Sequence, residues 1–129
     1  MYECTICKID PTSHSFKHVG IFNNVNYFYT CPAKSTKYYD CEGIIKHYKG
    51  TLDDYPEQQW TWIFDCAGFE TKHALEVKVA IKLAKLISKH YSNTLQKIEI
   101  VNPSTHIKNI LAIVTPFLNE KTKKVIVIK

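Results

Sequence analysis

The C-terminal part of the chain alternates between short apolar runs and longer segments with helical spacing. Three runs have the length and composition of buried strands: WTWIFDC at 60–66, KIEIV at 97–101 and KVIVI at 124–128. In the two segments between them, 67–91 and 106–118, apolar residues recur every three or four positions. Strands that are apolar throughout suit the centre of a sheet with both faces covered, and strands joined by helices pair in parallel through right-handed crossovers. The pattern predicts an α/β fold with crossover helices and a largely parallel β-sheet.

The N-terminal part is richer in strand signals. HVGIF at 18–22 and VNYFYTC at 25–31 flank Asn23 and Asn24, a pair suited to the tight turn of a β-hairpin. This hairpin would add antiparallel strands at the edge of the sheet. We therefore expect the sheet to be mixed.

Two further helices are predicted from capping and periodicity. The segment YYDCEGIIKHYKGTL has Asp40 placed as an N-terminal cap and Gly50 placed to end the helix. The segment 67–91 places Leu75, Val79 and Leu83 on an apolar face. The opposite face carries four lysines, here called the lysine stripe: Lys78, Lys82, Lys85 and Lys89.

The length and the net charge of the chain limit the kinds of protein that it can be. A chain of 129 residues is expected to form one domain, and its net charge is +5. All 17 basic residues are lysine, which disfavours base-specific recognition because arginine supplies most bidentate contacts. We predict no nucleic-acid partner; the charge fits either a diffuse anionic surface or a solvated exterior. Without a signal peptide or a run of about 20 apolar residues, we expect a cytoplasmic protein with reduced thiols.

A CxxC motif at the N-terminus raises the question of zinc. Cys4 and Cys7 precede His14 and His18, but the gap between the two pairs is short for a Cys₂His₂ finger. Alternation along 2–6 is better explained by a β-strand. We therefore predict a strand here and no metal site.

Asp65, Cys66 and His73 raise the question of catalysis. They follow a strand at its C-terminal end, where the active sites of α/β proteins gather, and a Cys–His pair could act as a nucleophile. No glycine elbow or oxyanion nest accompanies them, and the four glycines cannot build a nucleotide-binding loop. We predict no catalytic residue, no cofactor and no enzymatic activity, with Asp65 as a turn cap.

The segment HIKNILAIVTPFL at 106–118 has the most apolar helical pattern in the chain. Its stripe consists of Ile107, Ile110, Leu111, Val114, Phe117 and Leu118. Burying six such side chains is worth about 9–18 kcal/mol, so the helix cannot simply face water. Lys108 is its only formal charge, and Pro116 breaks its last turn. The sheet could cover it as it covers any crossover helix, but we expect more apolar surface than the sheet can shield, as in a lipid pocket.

The C-terminal half of the chain resembles a CRAL-TRIO domain, the lipid-binding module of phosphatidylinositol-transfer and tocopherol- or retinaldehyde-binding proteins. The family pattern has a tyrosine, a leucine, a strand ending in Asn-x-Pro, an apolar helix, Pro-Phe-Leu, a Thr/Lys-rich turn and a strand. The matching residues are Tyr91, Leu95, Ile98 to Val101, Asn102 with the adjacent Pro103, Pro116, Phe117, Leu118, Thr122 and Lys124. Upstream, Asp65 and Gly68 match the Asp-x-x-Gly turn of the family, so the resemblance covers 60–128.

The resemblance implies a lipid pocket roofed by a movable gate helix at 106–118, over a floor of strands at 60–64 and 98–101. The expected apolar pocket residues are Tyr29, Trp62, Phe64, Ile107, Ile110, Leu111, Val114 and Phe117. The residues expected at a headgroup or anionic surface are Lys121, Thr122, Lys123 and Lys124. The family usually has a helical region before the domain and a tail after it, so we expect 1–129 to be a single, minimal member.

The sequence is consistent with two functions. The first is non-enzymatic binding of a lipid or other hydrophobic ligand, with phospholipid or phosphoinositide transfer or sensing and peripheral contact with an anionic membrane. The alternative is a protein-interaction module that uses the apolar gate helix as its interface, for example in a homodimer.

Overall fold

Five strands form one sheet in the computed structural model, which describes residues 1–129. The strands are β1 (Lys17–Phe22), β2 (Val25–Thr30), β3 (Trp60–Asp65), β4 (Leu95–Val101) and β5 (Ile126–Ile128). They lie side by side in chain order. β1 and β2 pair antiparallel, and each later pair is parallel. The prediction of a mixed, largely parallel sheet is confirmed.

Six helices connect or flank the strands. They are α1 (Thr5–Ile9), α2 (Cys41–Asp53), α3 (Thr71–Ala74), α4 (Val77–Leu86), α5 (Thr105–Val114) and α6 (Glu120–Lys124). Two 3₁₀ turns, Pro32–Lys34 and Thr115–Phe117, and a π-helical turn, Ile87–Tyr91, complete the secondary structure. None of these helices combines the length and the apolarity that crossing a membrane requires.

The hairpin between β1 and β2 turns where the sequence predicts it. Asn23 and Asn24 have φ values of 52° and 64°, the left-handed conformation that a two-residue hairpin loop requires at both positions. Asparagine tolerates this conformation better than most residues. The hairpin prediction is confirmed.

Helix α2 begins where the sequence predicts it but ends later. The carboxylate of Asp40 accepts a hydrogen bond of 3.1 Å from the backbone N–H of Gly43, as an N-terminal cap should. Gly50 does not end the helix, which continues to Asp53. A β-carbon at Gly50 would lie 2.2 Å from the ring of Tyr2, so this glycine allows the N-terminal segment to lie close against the helix.

The predicted N-terminal strand is wrong, because Thr5–Ile9 forms the short helix α1. The segment lies against α2, where the backbone N–H of Tyr2 donates to Asp54 at 2.9 Å, rather than beside a strand. With no sheet edge as partner, its backbone bonds locally, as between the N–H of Lys8 and the carbonyl of Cys4 at 2.9 Å.

The predicted helix over 67–91 is split into α3 and α4. The break falls at Leu75, which the sequence places on the apolar face but which is 74% exposed. Val79 and Leu83 are buried as expected, and all four lysines of the lysine stripe are exposed.

The main core lies on one face of the sheet. Phe28, Trp62 and Ile98 occupy neighbouring positions on β2, β3 and β4 and are buried beneath helices. Side chains alternate between the two faces of a strand, so Tyr29 and Ile63 point the other way, and both are only half-buried. The sequence-based expectation that the central strands are covered on both faces is therefore not met.

Candidate ligand cavity beneath helix α5

An apolar cavity of about 80 Å³ lies between the sheet and α5. Sixteen residues line it, and 15 of them are hydrophobic. The floor consists of Trp62, Phe64, Ile98, Ile100 and Ile126 from the strands. The roof and wall consist of Ile107, Ile110, Leu111 and Val114 from α5, Leu118 beyond it, and Ala80, Leu83 and Ala84 from α4. Tyr38, Phe69 and His73 close one margin.

Helix α5 has apolar side chains on its outer side as well. Ile107, Ile110 and Val114 are buried against the cavity and the core. Ile113 and Phe117, one turn apart, remain 40% and 38% exposed. The helix therefore carries more apolar surface than the sheet covers.

A hydrogen-bonded carboxylate fixes the start of the segment that leads into α5. Asp65, at the end of β3, accepts hydrogen bonds of 2.9 Å from the Asn102 side-chain amide and from the Ala67 N–H, and a further one from the Tyr29 hydroxyl. Asn102 has a φ of 52°, so it turns the chain sharply after β4. Burial opposes ionisation of Asp65, but these three donors outweigh it and hold its pKa below the usual 3.8.

The Asp65–Asn102 pair is one polar anchor before α5. A second polar anchor lies after α5 and its 3₁₀ turn; α5 and this turn together are called the α5 segment. The side-chain amide of Asn119 donates to the carbonyl of Ser88 at 2.9 Å, within the π-helical turn after α4. The other end of that amide accepts from the backbone N–H and the hydroxyl of Thr122, at 2.9 and 2.6 Å. Thr122 is completely buried, so the expectation that it contacts a headgroup is wrong.

The structure brings six of the eight predicted pocket residues together. The six are Trp62, Phe64, Ile107, Ile110, Leu111 and Val114. Tyr29 does not line the cavity, because the alternation along β2 directs Phe28, and not Tyr29, toward the helices. Phe117 is also absent from the lining, since the 3₁₀ turn after Val114 directs it outward, where the ammonium of Lys85 lies 5.0 Å from its ring centre.

Ile98, Ile100 and Leu118 also line the cavity and come from the predicted floor and gate segments. Seven further lining residues come from regions that the sequence did not connect with a pocket: Tyr38, Phe69, His73, Ala80, Leu83, Ala84 and Ile126. Leu83 and Ala84 belong to the apolar face of α4, which helical spacing could have indicated. Tyr38 and Phe69 lie in irregular segments and have no periodic signal.

The predicted lysines around α6 differ in their surroundings. Lys121 donates to the carbonyl of Asn93 at 2.8 Å, and Lys123 pairs with Glu120 at 3.1 Å. Lys124 is exposed. All three remain near the surface, and Lys124 is the one best placed to meet an external anion.

Cys66 is poorly suited to nucleophilic catalysis. Burial, followed by the nearby charge of Asp65, raises the pKa of its thiol to about 12, so the thiol stays protonated at neutral pH. The Nδ1 atom of His73 accepts from the backbone N–H of Glu70 at 2.9 Å. This imidazole caps α3 and has no hydrogen bond to Cys66.

The four residues that the sequence suggested as zinc ligands do not all lie together. Cys4 and Cys7 each lie with Sγ 3.5 Å from Nδ1 of His14. His18 lies away from them on β1, where it bonds to Asn26 at 3.0 Å.

The sequence of the chain matches a known domain family. The sequence model of the CRAL/TRIO domain matches residues 34–129, most of the chain. The chain belongs to the CRAL/TRIO domain family. Domains of this family bind lipids or other hydrophobic ligands and are generally non-enzymatic. The apolar cavity beneath α5 lies within the matched range.

A solved structure supports the CRAL/TRIO fold. The structure of Sfh5 superimposes with a TM-score of 0.71, covers 99% of this chain and shares 14% sequence identity. The match covers 49% of the Sfh5 chain, so this chain spans about half the length of Sfh5. No curated protein sequence matches the chain significantly.

Proposed function

We propose that this domain binds a lipid or a lipid-like hydrophobic ligand between its sheet and helix α5, without catalysing a reaction. The proposal rests on the cavity itself, which lies beneath α5, the predicted gate helix. Of the 16 residues that line this cavity, 15 are hydrophobic. Apolar lining with few polar groups at one margin is typical of hydrophobic ligand sites. Here the polar margin consists of Tyr38 and His73.

The size of the cavity requires α5 to move when a lipid enters. Ligand pockets usually measure about 300–1,000 Å³, and this cavity has about 80 Å³. Exposing Ile107, Ile110 and Val114 to water would cost about 5–9 kcal/mol, at about 1.5–3 kcal/mol for each side chain. An acyl chain that replaced the lost contacts would offset this cost. The form described here is therefore the closed one in this proposal.

The two polar anchors define which part of the chain would move. Asn102 is held by Asp65 before α5, and Asn119 is held by Ser88 after it. The ten residues of α5 and the following 3₁₀ turn lie between these anchors. Outward displacement of this segment would enlarge the cavity and leave both ends attached.

The lysine stripe suits contact with an anionic membrane beside this gate. Lys85 lies over the ring of Phe117, so the stripe borders the exposed apolar side of the α5 segment. Each lysine near an anionic surface contributes about 1 kcal/mol to binding. Phospholipid or phosphoinositide transfer or sensing is the function that this combination would serve.

Two tryptophans of β3 provide a direct test. Trp62 lines the cavity, and its indole N–H has no hydrogen-bond partner within the chain. Trp60 lies outside the lining, and its indole donates to the carbonyl of Tyr91 at 3.1 Å. Brominated acyl chains quench tryptophan only on close contact, so the probe is a brominated phosphatidylcholine.

The experiment compares two single-tryptophan variants. In Trp60→Phe, which retains Trp62, we expect the probe to quench fluorescence saturably. In Trp62→Phe, which retains Trp60, we expect weaker quenching, because Trp60 lies outside the lining with its ring centre 6.5 Å from that of Trp62. Stronger quenching of Trp60 than of Trp62, or no quenching in either variant, would contradict binding in this cavity.

A second candidate function rests on the outer side of α5. Ile113 and Phe117 form an exposed apolar pair at i, i+4 spacing, which could be the centre of a symmetric dimer. Sedimentation equilibrium of the wild type and of Ile113→Ser tests this. A dimer that Ile113→Ser converts to monomer supports the interface, and a wild-type monomer at all concentrations excludes it.

A further inference from the structure

Four side chains that the ligand cavity does not use converge near the N-terminus. The Sγ atoms of Cys4 and Cys7 both lie 3.5 Å from Nδ1 of His14, and Sγ of Cys7 lies 3.7 Å from Nδ1 of His47. All four potential ligand atoms lie within 4.8 Å of one another. His47 comes from α2, so the cluster joins the N-terminal segment to a helix of the main fold.

The three sulfur–nitrogen separations, 3.5, 3.5 and 3.7 Å, fit a tetrahedral zinc ion. With Zn–S bonds of about 2.3 Å and Zn–N bonds of about 2.0–2.1 Å, tetrahedral ligands lie about 3.3–3.8 Å apart. Two thiolates and two imidazoles form a ligand set that selects zinc, and the thiolate charges neutralise the ion. We propose that Cys4, Cys7, His14 and His47 bind one structural Zn²⁺.

The outer nitrogen atoms of both imidazoles support this assignment. Nε2 of His47 lies 2.6 Å from the carbonyl oxygen of Phe16. A carbonyl can only accept, so Nε2 carries the proton, and Nδ1 of the neutral ring directs its lone pair toward the cysteines. Nε2 of His14 lies 3.1 Å from the carboxylate of Asp40. Zinc-bound histidines usually donate their second N–H to a carboxylate or a backbone carbonyl in this way.

The N-terminal segment needs an attachment of this kind. Helix α1 has only five residues, and none of them is buried. Isolated helices of this length are unstable in water. A metal bound to two residues at α1, to His14 and to α2 would hold the segment in place, because binding energy at such sites becomes folding energy.

A series of packed aromatic rings connects the proposed zinc site to the ligand cavity. Phe16, whose carbonyl holds His47, stacks on Tyr48 of α2 with ring centres 3.8 Å apart. Tyr48 in turn contacts Trp62, in the cavity floor, at 5.5 Å between ring centres. Four protein ligands leave no open coordination position, so the role assigned to the metal is structural and not catalytic. The proposal replaces the sequence-based expectation of no metal site.

The test measures metal in the full chain, purified reduced and without chelator. Elemental analysis should find one zinc per chain in the wild type and a loss of most of it in Cys7→Ser and His47→Asn. Cys41→Ser and His18→Asn are matched controls outside the cluster and should keep it. Asp40→Asn should weaken zinc affinity about 10–100-fold, because it removes the negative charge of the acceptor that orients His14.

Cobalt binding by the wild type is a second test, which does not depend on whether any variant folds. Co²⁺ added to the reduced, metal-free wild type should give the visible bands of a tetrahedral ion and a thiolate charge-transfer band. His47→Cys should still bind one ion, with a stronger charge-transfer band from its third thiolate. Three results would overturn the proposal: no stoichiometric metal in the wild type, equal zinc in Cys7→Ser and Cys41→Ser, or a Cys4–Cys7 disulfide whose reduction restores no metal binding.

Discussion

The side-chain amide of Asn102 donates a hydrogen bond of 2.9 Å to the carboxylate of Asp65. The two residues follow β3 and β4, which are parallel neighbours, so the bond joins the carboxyl ends of both strands. Asp65 belongs to the Asp-x-x-Gly turn, and Asn102 belongs to the Asn-Pro pair that follows β4. This hydrogen bond therefore joins two sequence motifs that lie far apart in the chain. It holds in place the residues from which the chain continues into α5.

Replacing Asp65 with asparagine should lower the free energy of unfolding by about 1–3 kcal/mol. The substitution removes a charged acceptor that Tyr29, Asn102 and Ala67 share, and hydrogen bonds to charged groups are stronger than neutral ones. Urea denaturation followed by circular dichroism measures the change. The control is Glu3→Gln, an exposed carboxylate paired only with Lys8, which should stay within about 0.5 kcal/mol of the wild type.

The same carboxylate should make stability depend on acid pH. The pKa of Asp65 is lowered in the folded state, so its contribution is present above the unfolded pKa of about 3.9 and is lost as the pH falls through the lower, folded value. The wild type should therefore lose stability more steeply than Asp65→Asn below about pH 4. Parallel stability curves for the two proteins across that range would show that the hydrogen bonds do not favour the ionised form.

Two isoleucines of α5 should differ sharply in their contribution to stability. Ile110 is 8% exposed and lines the cavity, so Ile110→Ala should cost about 2–5 kcal/mol. Ile113 is 40% exposed, so Ile113→Ala should cost less than about 1 kcal/mol. Thermal unfolding of both variants tests the orientation of the helix. Similar losses from the two substitutions would mean that something also covers the outer side of α5.

Lysines 78 and 82 should strengthen binding to anionic vesicles. Removing both in Lys78→Ala with Lys82→Ala should weaken binding to phosphatidylserine-containing vesicles by about 2 kcal/mol, close to thirtyfold. Lys17→Ala with Lys46→Ala removes the same charge from exposed positions outside the stripe and should have a smaller effect. Vesicle sedimentation gives both affinities. Equal weakening would assign the binding to overall charge and not to the lysine stripe.

The strands and α5 could be predicted from the sequence because their signals are local. The apolar runs of β3 and β4 stand between helical segments, that of β5 follows one, and the length of the runs excludes helices. Pro116 likewise predicts the end of regular helix, and α5 gives way there to a 3₁₀ turn. The six predicted residues that line the cavity lie on these elements.

The errors concern features that only tertiary contacts determine. Tyr29 and Phe28 are both aromatic, and the register of β2 against its neighbours decides which of them faces the helices. Thr122 matches a family position by type, yet its burial depends on Asn119 and Ser88. His47 could not be grouped with the CxxC motif, because it lies on α2 and reaches the cysteines only after the N-terminal segment folds back.

The most direct test of ligand binding is to identify and count what leaves the natively purified protein on organic extraction. Ala84→Leu adds bulk inside the cavity, and Ala112→Leu makes the same change on the exposed side of α5. We predict a recurrent lipid near one molecule per chain in the wild type and in Ala112→Leu, and its loss from a folded Ala84→Leu. Extracts without any stoichiometric hydrophobic molecule, or equal amounts from both variants, would contradict the account.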